Sequence, residues 1–152
     1  MRVEQELERM GLKLPGPSIP AGSYVPAVRV DKLLFVSGHG PRVDGEIKFK
    51  GKVGRDLTVE QGYEAAKVVM LNCLGTIKRT VGDLDQVERI VKVLGFINAP
   101  EGFQETPKVL NGASDLLIQL YGENGRHARS AIGVAALPFD IPVEVEMIVA
   151  LK

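Results

Sequence analysis

A chain of 152 residues with 19 basic and 19 acidic side chains carries a formal net charge of zero, so no global field draws it to nucleic acid or to an anionic membrane. Its length allows one domain, residues 1–152, to bury a core of its own. Tryptophan is absent and aromatics make up 5 % of the chain, which leaves few stacking platforms for single-stranded RNA.

Residues 2–10 have Val3, Leu7 and Met10 at helical spacing with Gly11 as a stop, which predicts a short helix. A connector rich in Pro and Gly follows over 14–23, so that residues 1–20 form a helix and a Pro-rich lead-in. Two strands are predicted over 24–29 and 32–37, joined by a tight turn at Val30-Asp31, with Gly38-His39-Gly40-Pro41 breaking the second. The stretch 46–49 is a candidate short edge strand. The alternating Lys48, Lys50, Lys52 and Arg55 suit a solvated edge better than a phosphate site.

Thr58-Val59-Glu60-Gln61 has the form of a capping box and predicts a helix from there to about Thr80. Ala65, Val68, Val69, Asn72, Cys73 and Ile77 form its inward stripe, and Gly82 ends it. Residues 87–96 are rich in Val and Ile and predict a strand. After a loop at 98–102, residues 103–121 predict a second long helix with Val109, Leu110, Ala113, Leu116, Leu117 and Leu120 inward. Two closing strands bring the order to β-β-α-β-α-β-β, an α+β fold with two helices on one face of a mixed sheet. The other face still carries Val, Ile and Ala, so self-association is expected.

Cys73, the single cysteine, sits in an apolar run and reads as a small buried hydrophobe. No apolar stretch approaches the roughly 18–20 residues of a membrane span, and the charged start has no signal core. A soluble cytoplasmic protein is the expectation. Two histidines and one cysteine group no metal ligands, so no metal is expected. Ser37-Gly38-His39-Gly40 lacks the frame of a nucleophile elbow and the lysine of a phosphate loop.

The closing strands are the most informative. Arg129 opens an apolar strand of small residues, and Glu144 and Glu146 share one face of the next by period-2 alternation. Charges in strands this apolar are costly unless paired or met by a ligand. Arg129 can pair with Glu144 or Glu146 within the sheet, or its planar fork can grip a ligand carboxylate.

The run Ala128-Arg129-Ser130, then Leu137-Pro138 and Val143-Glu144-Val145-Glu146, resembles the C-terminal signature of the RidA/YjgF family. These are reactive-intermediate (enamine/imine) deaminases, and some members also carry the names L-PSP endoribonuclease or translation inhibitor. Tyr24-Val25 and Phe35-Val36-Ser37-Gly38 resemble the family's paired N-terminal strands, and the likeness runs over about residues 20–152. The resemblance implies a chorismate-mutase-like fold, a homotrimer with three inter-subunit clefts, and cofactor-free hydrolysis of 2-aminoacrylate-like or other 2-imino acids to 2-keto acids and ammonia.

It further implies that Arg129 holds the substrate carboxylate and Glu144 orients or activates water. Tyr24, Ser37, Gly38, Asn111 and Ala131 would line the cleft. Ala131 stands where many members have cysteine, His39 replaces a common glutamine, and the N-terminal extension and the 51–56 segment mark a divergent branch. A non-catalytic module that binds a small carboxylate is the alternative. Ribonuclease activity ranks last, because no histidine pair, metal cluster or positive charge supports it.

Overall fold

The computed structural model describes residues 2–17 and 19–152. Met1, the first residue of the expected domain, and Ser18, within the expected connector, lie outside the described residues. The long helix α2 (Val59–Val81) starts where the spacing placed it. Thr58 Oγ1 accepts from the Gln61 N–H at 3.1 Å, and Gln61 Oε1 accepts from the Thr58 N–H at 2.9 Å. These bonds satisfy two donors that a helix start leaves free. Gly82 closes the helix at φ 90°, a conformation costly for a residue with Cβ. The predicted stripe is buried except Val68, which is half-exposed. Cys73 is fully buried, with Sγ 3.7 Å from the Val145 carbonyl.

The second long helix, α3 (Thr106–Tyr121), begins three residues later than its apolar pattern suggests. Pro107 suits a first helical turn, and the Phe103 N–H is spent on a turn to the Pro100 carbonyl at 3.2 Å. The helices α2 and α3 approach closely at Gly112, where a Cβ would stand 1.9 Å from the Tyr63 carbonyl oxygen. The short α1 (Arg2–Arg9) docks through buried Val3 and Leu7. Its Val3 N–H is capped by Asp85 Oδ1 at 2.9 Å. Among the described residues no helix is long and apolar enough to cross a membrane.

Five strands form one sheet: β1 (Ala27–Val30), β2 (Leu33–His39), β5 (Val87–Asn98), β6 (Ala128–Val134) and β7 (Val143–Leu151), in the order β1-β2-β7-β5-β6. Two-residue strands β3 (Arg42–Val43) and β4 (Glu46–Ile47) make a separate hairpin. The closing strands β6 and β7 are not paired with each other, because β5 lies between them, parallel to β6 and antiparallel to β7. The first strand starts at Ala27 rather than Tyr24, since Pro26 has no N–H to offer a ladder. The turn sits one residue later than expected, with Asp31 at φ 53°. The Gly38-His39 segment does not end β2. It bulges, so that Ser37 and Gly38 stand opposite the single Glu146 before His39 pairs with Val145.

Leu34, Val36, Val93, Ile97, Val145, Met147 and Val149 are buried on the face under α2 and α3. The opposite face carries Val28, Phe35 and Ile132, which keep 51, 41 and 43 % exposure, beside Leu94, Phe96 and Ile148. That is an apolar surface without helices over it. Lys52 is not a solvated edge residue. Its Nζ donates to Asn98 Oδ1 at 2.7 Å and to the Ala135 carbonyl at 2.5 Å, anchoring the connection between β6 and β7.

Replacing Gly112 by Ala pushes a methyl group into the Tyr63 carbonyl and should lower unfolding free energy by about 3 kcal/mol. Gly16→Ala, with nothing within 4 Å of its Cβ position, should stay within about 0.5 kcal/mol. Urea denaturation of the two variants measures both values.

Candidate functional site

The bulge in β2 opens a cleft of about 550 Å3 at one end of the sheet. Its floor is Ser37, Gly38 and His39 of β2 with Glu144 and Glu146 of β7. One wall comes from Arg42, Ile47, Phe139 and Ile141, the other from Ile19, Pro20, Ala21, Tyr24 and Pro26. Asn72 of α2 reaches the same cleft, and its Nδ2 donates to the Arg42 carbonyl at 2.8 Å. The Arg42 guanidinium lies over the Phe139 ring, 5.4 Å from its centroid. Phe139 and Asp140 hold that position at φ 60° and 55°, the left-handed region that bulky residues avoid.

Glu144 is the central group. A Cβ on Gly38 would stand 2.9 Å from Glu144 Oε2, so only glycine at 38 lets the carboxylate lie against the β2 backbone. Partial burial pushes the Glu144 carboxyl above its ordinary value, and the neighbouring Glu146 charge raises it further. A carboxyl so tuned exchanges protons closer to neutrality, as a general acid or base must.

The two histidines are engaged on both ring nitrogens. His39 Nδ1 lies 2.5 Å from the Ser37 carbonyl and Nε2 lies 2.8 Å from Thr76 Oγ1. His127 meets the Gly125 carbonyl at 2.7 Å and Ser114 Oγ at 2.8 Å. Burial pushes both rings below their usual value, which disfavours their charged form.

Arg129 is elsewhere. It lies on edge strand β6 and reaches towards α3, donating to Ser114 Oγ at 3.0 Å and to the Pro107 carbonyl at 3.2 Å. Neither partner is an acid, so the pairing of Arg129 with Glu144 or Glu146 within the sheet is absent among the described residues. The cause is alternation. Arg129 shares a register position with Val93, buried under the helices, whereas Glu144 pairs with Phe96 on the helix-free face. Asn111 flanks Arg129 in a shallow depression with Ser114 and His127. Ala131 follows two residues along β6 on the Arg129 face, half-buried.

The expected site residues therefore fall into two groups: Tyr24, Ser37, Gly38 and Glu144 in the cleft, and Arg129, Asn111 and Ala131 on the far edge. The Ser37 hydroxyl is already spent, donating to the Val25 carbonyl at 2.7 Å. Sequence reasoning missed Arg42, Phe139 and the 19–21 segment, and it gave Asn72 only a packing role. Asn72 carried a signal, a polar amide inside an apolar stripe. Glu4, Asp83 and Asp85 bring carboxylate oxygens within 4.8 Å of one another, but remote from the cleft and bonded to backbone N–H groups around α1.

Residues 4–150 match the model of a family described as "YjgF/chorismate mutase-like, putative endoribonuclease". Protein TCP17 of Trypanosoma cruzi is 44 % identical over 152 residues, 99 % of this chain and 95 % of that protein. Among solved structures, the Agrobacterium tumefaciens protein Atu1372, of unknown function, is 39 % identical with a TM-score of 0.91, over 99 % of this chain and 92 % of that one. A Shewanella oneidensis MR-1 protein under the same provisional endoribonuclease description is 33 % identical with a TM-score of 0.96, over 99 % and 100 % of the two chains.

Removing the Glu146 charge should lower the Glu144 titration midpoint without restoring the ordinary value, because burial is the larger cause. Carboxyl-carbon NMR titration of wild type and Glu146→Gln reads this directly. The sign of the linkage follows. A midpoint raised in the fold means that ionised Glu144 disfavours folding. That cost is absent below the unfolded midpoint and fully present above the folded one, so its contribution to stability falls as pH rises between them.

Proposed function

The chain belongs to the YjgF/chorismate mutase-like family, and from that premise we propose that it hydrolyses reactive 2-imino acids and their enamine tautomers to 2-oxo acids and ammonia, in clefts completed between the subunits of a homotrimer. The observation that carries this reading is the separation of Glu144 from Arg129 on opposite faces of one sheet. One chain offers a proton-accepting carboxylate with room around it. The same chain offers, on its far edge, an arginine whose hydrogen bonds go to Ser114 Oγ and the Pro107 carbonyl rather than to a carboxylate. A cyclic assembly joins the two halves head to tail, and the apolar helix-free face supplies the surface such an assembly buries.

Imines hydrolyse unaided, so the site needs only to position the reactants and move protons. The neighbour's Arg129 would hold the substrate carboxylate by two parallel hydrogen bonds and fix the imine carbon near Glu144. Glu144 would take a proton from water as its oxygen adds to the carbon of the protonated imine, forming a neutral carbinolamine. The same carboxyl would then return that proton to nitrogen, and as the C–N bond breaks Glu144 would take the hydroxyl proton and pass it to the departing ammonia, leaving the carbonyl and ammonium. The raised Glu144 midpoint suits this two-way transfer.

The endoribonuclease description attached to relatives fits this cleft less well. Both histidines are held at both nitrogens in surroundings that disfavour their charged form, and the floor carries two carboxylates that repel a phosphodiester.

Glu144→Gln should lower kcat by about 10²–10⁴-fold with little change in KM, since the amide can hold water but cannot accept its proton. Glu146→Gln is the control, and an equal loss there would mean that the wrong carboxylate has been assigned. Stopped assays on 2-iminobutanoate generated by an amino-acid oxidase provide the rates. Unchanged kcat in Glu144→Gln with ligand still bound would favour a non-catalytic carboxylate-binding module.

Subunit complementation tests the shared cleft. Arg129→Ala and Glu144→Gln chains should each be nearly inactive alone. Unfolded and refolded together in equal amounts, they should recover about one quarter of wild-type activity, the share of interfaces that join two intact halves. No recovery in mixed oligomers confirmed by mass spectrometry would place both residues in one chain's site, or Arg129 outside it.

A further inference from the structure

Among the described residues between α1 and β1, Pro15 is fastened to α2, residues 19–21 line the cleft, and Val25 and Pro26 are fastened to β2. On one side the Pro15 carbonyl accepts from Arg79 Nη1 at 3.2 Å. The same oxygen presses on Gly75 of α2, 3.2 Å from where a Cβ would stand. On the other side Ser37 donates twice, Oγ to the Val25 carbonyl at 2.7 Å and N–H to the Pro26 carbonyl at 2.9 Å. Ile19, Pro20 and Ala21 lie between these pins and line the cleft, with Ile19 93 % exposed.

The two pins are joined through the cleft floor. Arg79 Nη2 donates to Thr76 Oγ1 at 3.2 Å, Thr76 Oγ1 meets His39 Nε2 at 2.8 Å, and His39 Nδ1 meets the Ser37 carbonyl at 2.5 Å. One hydrogen-bonded path therefore runs from the Pro15 latch to Ser37, the residue that holds the other end. His39 occupies a position where its two ring nitrogens can bridge helix and strand, and that is its work here.

Resting on the imine-hydrolase reading, we propose that this N-terminal strap is the specificity element of the site, an apolar wall that selects 2-imino acids with branched or aromatic side chains over small ones such as 2-iminopropanoate. Arg79 is the positioning residue that sets the wall. A cleft of about 550 Å3 is in the range that encloses drug-sized ligands. A small acid held by its carboxylate, with its reacting carbon at Glu144, leaves Ile19 and Pro20 in water. A longer apolar side chain covers them and gains the free energy of removing both surfaces from solvent. The polar floor and the apolar strap thus divide recognition: the floor reads the reacting group and the strap reads what is attached to it.

The test uses the full chain and two independent readouts. Calorimetry compares binding of 2-oxobutanoate with 4-methyl-2-oxopentanoate, the stable carbonyl forms of a small and a branched substrate. Turnover of the corresponding 2-imino acids gives a second ratio. Wild type should favour the branched acid by roughly tenfold or more in binding. Ile19→Ser should remove most of that preference, Ile19→Val should keep it, and Arg79→Met should reduce it by freeing the latch, with circular dichroism confirming the fold of each. Equal binding of the two acids by wild type, or a ratio unmoved in both Ile19→Ser and Arg79→Met, overturns the proposal, as does failure to bind either acid. A binding preference without turnover would keep the strap's role and discard the catalytic reading. Turnover without any preference would do the reverse.

Discussion

Three segments of the chain converge on one buried amide. Asn98, at the end of β5, is 1 % exposed. Its Nδ2 donates to Asp140 Oδ1 at 3.3 Å and to the Ile141 carbonyl at 3.1 Å, and its Oδ1 receives Lys52 at 2.7 Å. Its backbone N–H adds a bond to the Pro142 carbonyl at 2.9 Å. Buried polar groups are expensive when unpaired, each costing about 1–3 kcal/mol, and these bonds hold the connection from β6 to β7 over the end of β5. That course puts β5 between the last two strands. The two-sided placement of Arg129 and Glu144, the position of Phe139 over the cleft and the anchoring of the 51–56 segment all depend on it.

Local signals were legible and long-range ones were not. The capping box at Thr58, the apolar stripes of α2 and α3 and the Val/Ile run of β5 are set by neighbours within a few residues, and they appear where spacing places them. Period-2 alternation rightly put Glu144 and Glu146 on one face. It could not tell that the preceding strand would be separated from theirs by β5, because strand order is decided by distant contacts. The strand start at Ala27 is a backbone accommodation to Pro26, and the bulge sets Ser37 and Gly38 against the single Glu146. Arg42 and residues 19–21 come from connecting segments, where no periodicity marks a face. The family resemblance named site residues that spacing could not, and within one chain these fall into two separate groups.

The cleft also shows how a fold can tune a carboxylate with few parts. Gly38 gives Glu144 a place against the backbone, the sheet removes part of its water, and Glu146 adds a like charge beside it. None of these requires a dedicated catalytic loop. The sheet supplies the floor, and residues 19–21, His39 and the Arg42–Phe139 pair stand around it.

Cys73 turns the helix layer into its own reporter. The one thiol of the chain is fully buried between α2 and the Val145 carbonyl of β7, and burial pushes it far above the usual thiol range. A thiol reagent can reach it only when the helix lifts from the sheet beside Glu144. The rate of labelling under native conditions therefore measures how often that layer opens, as amide exchange does for a backbone. No fluorophore or engineered cysteine is needed, and a ligand that grips the cleft will register as slower modification of a residue it never touches.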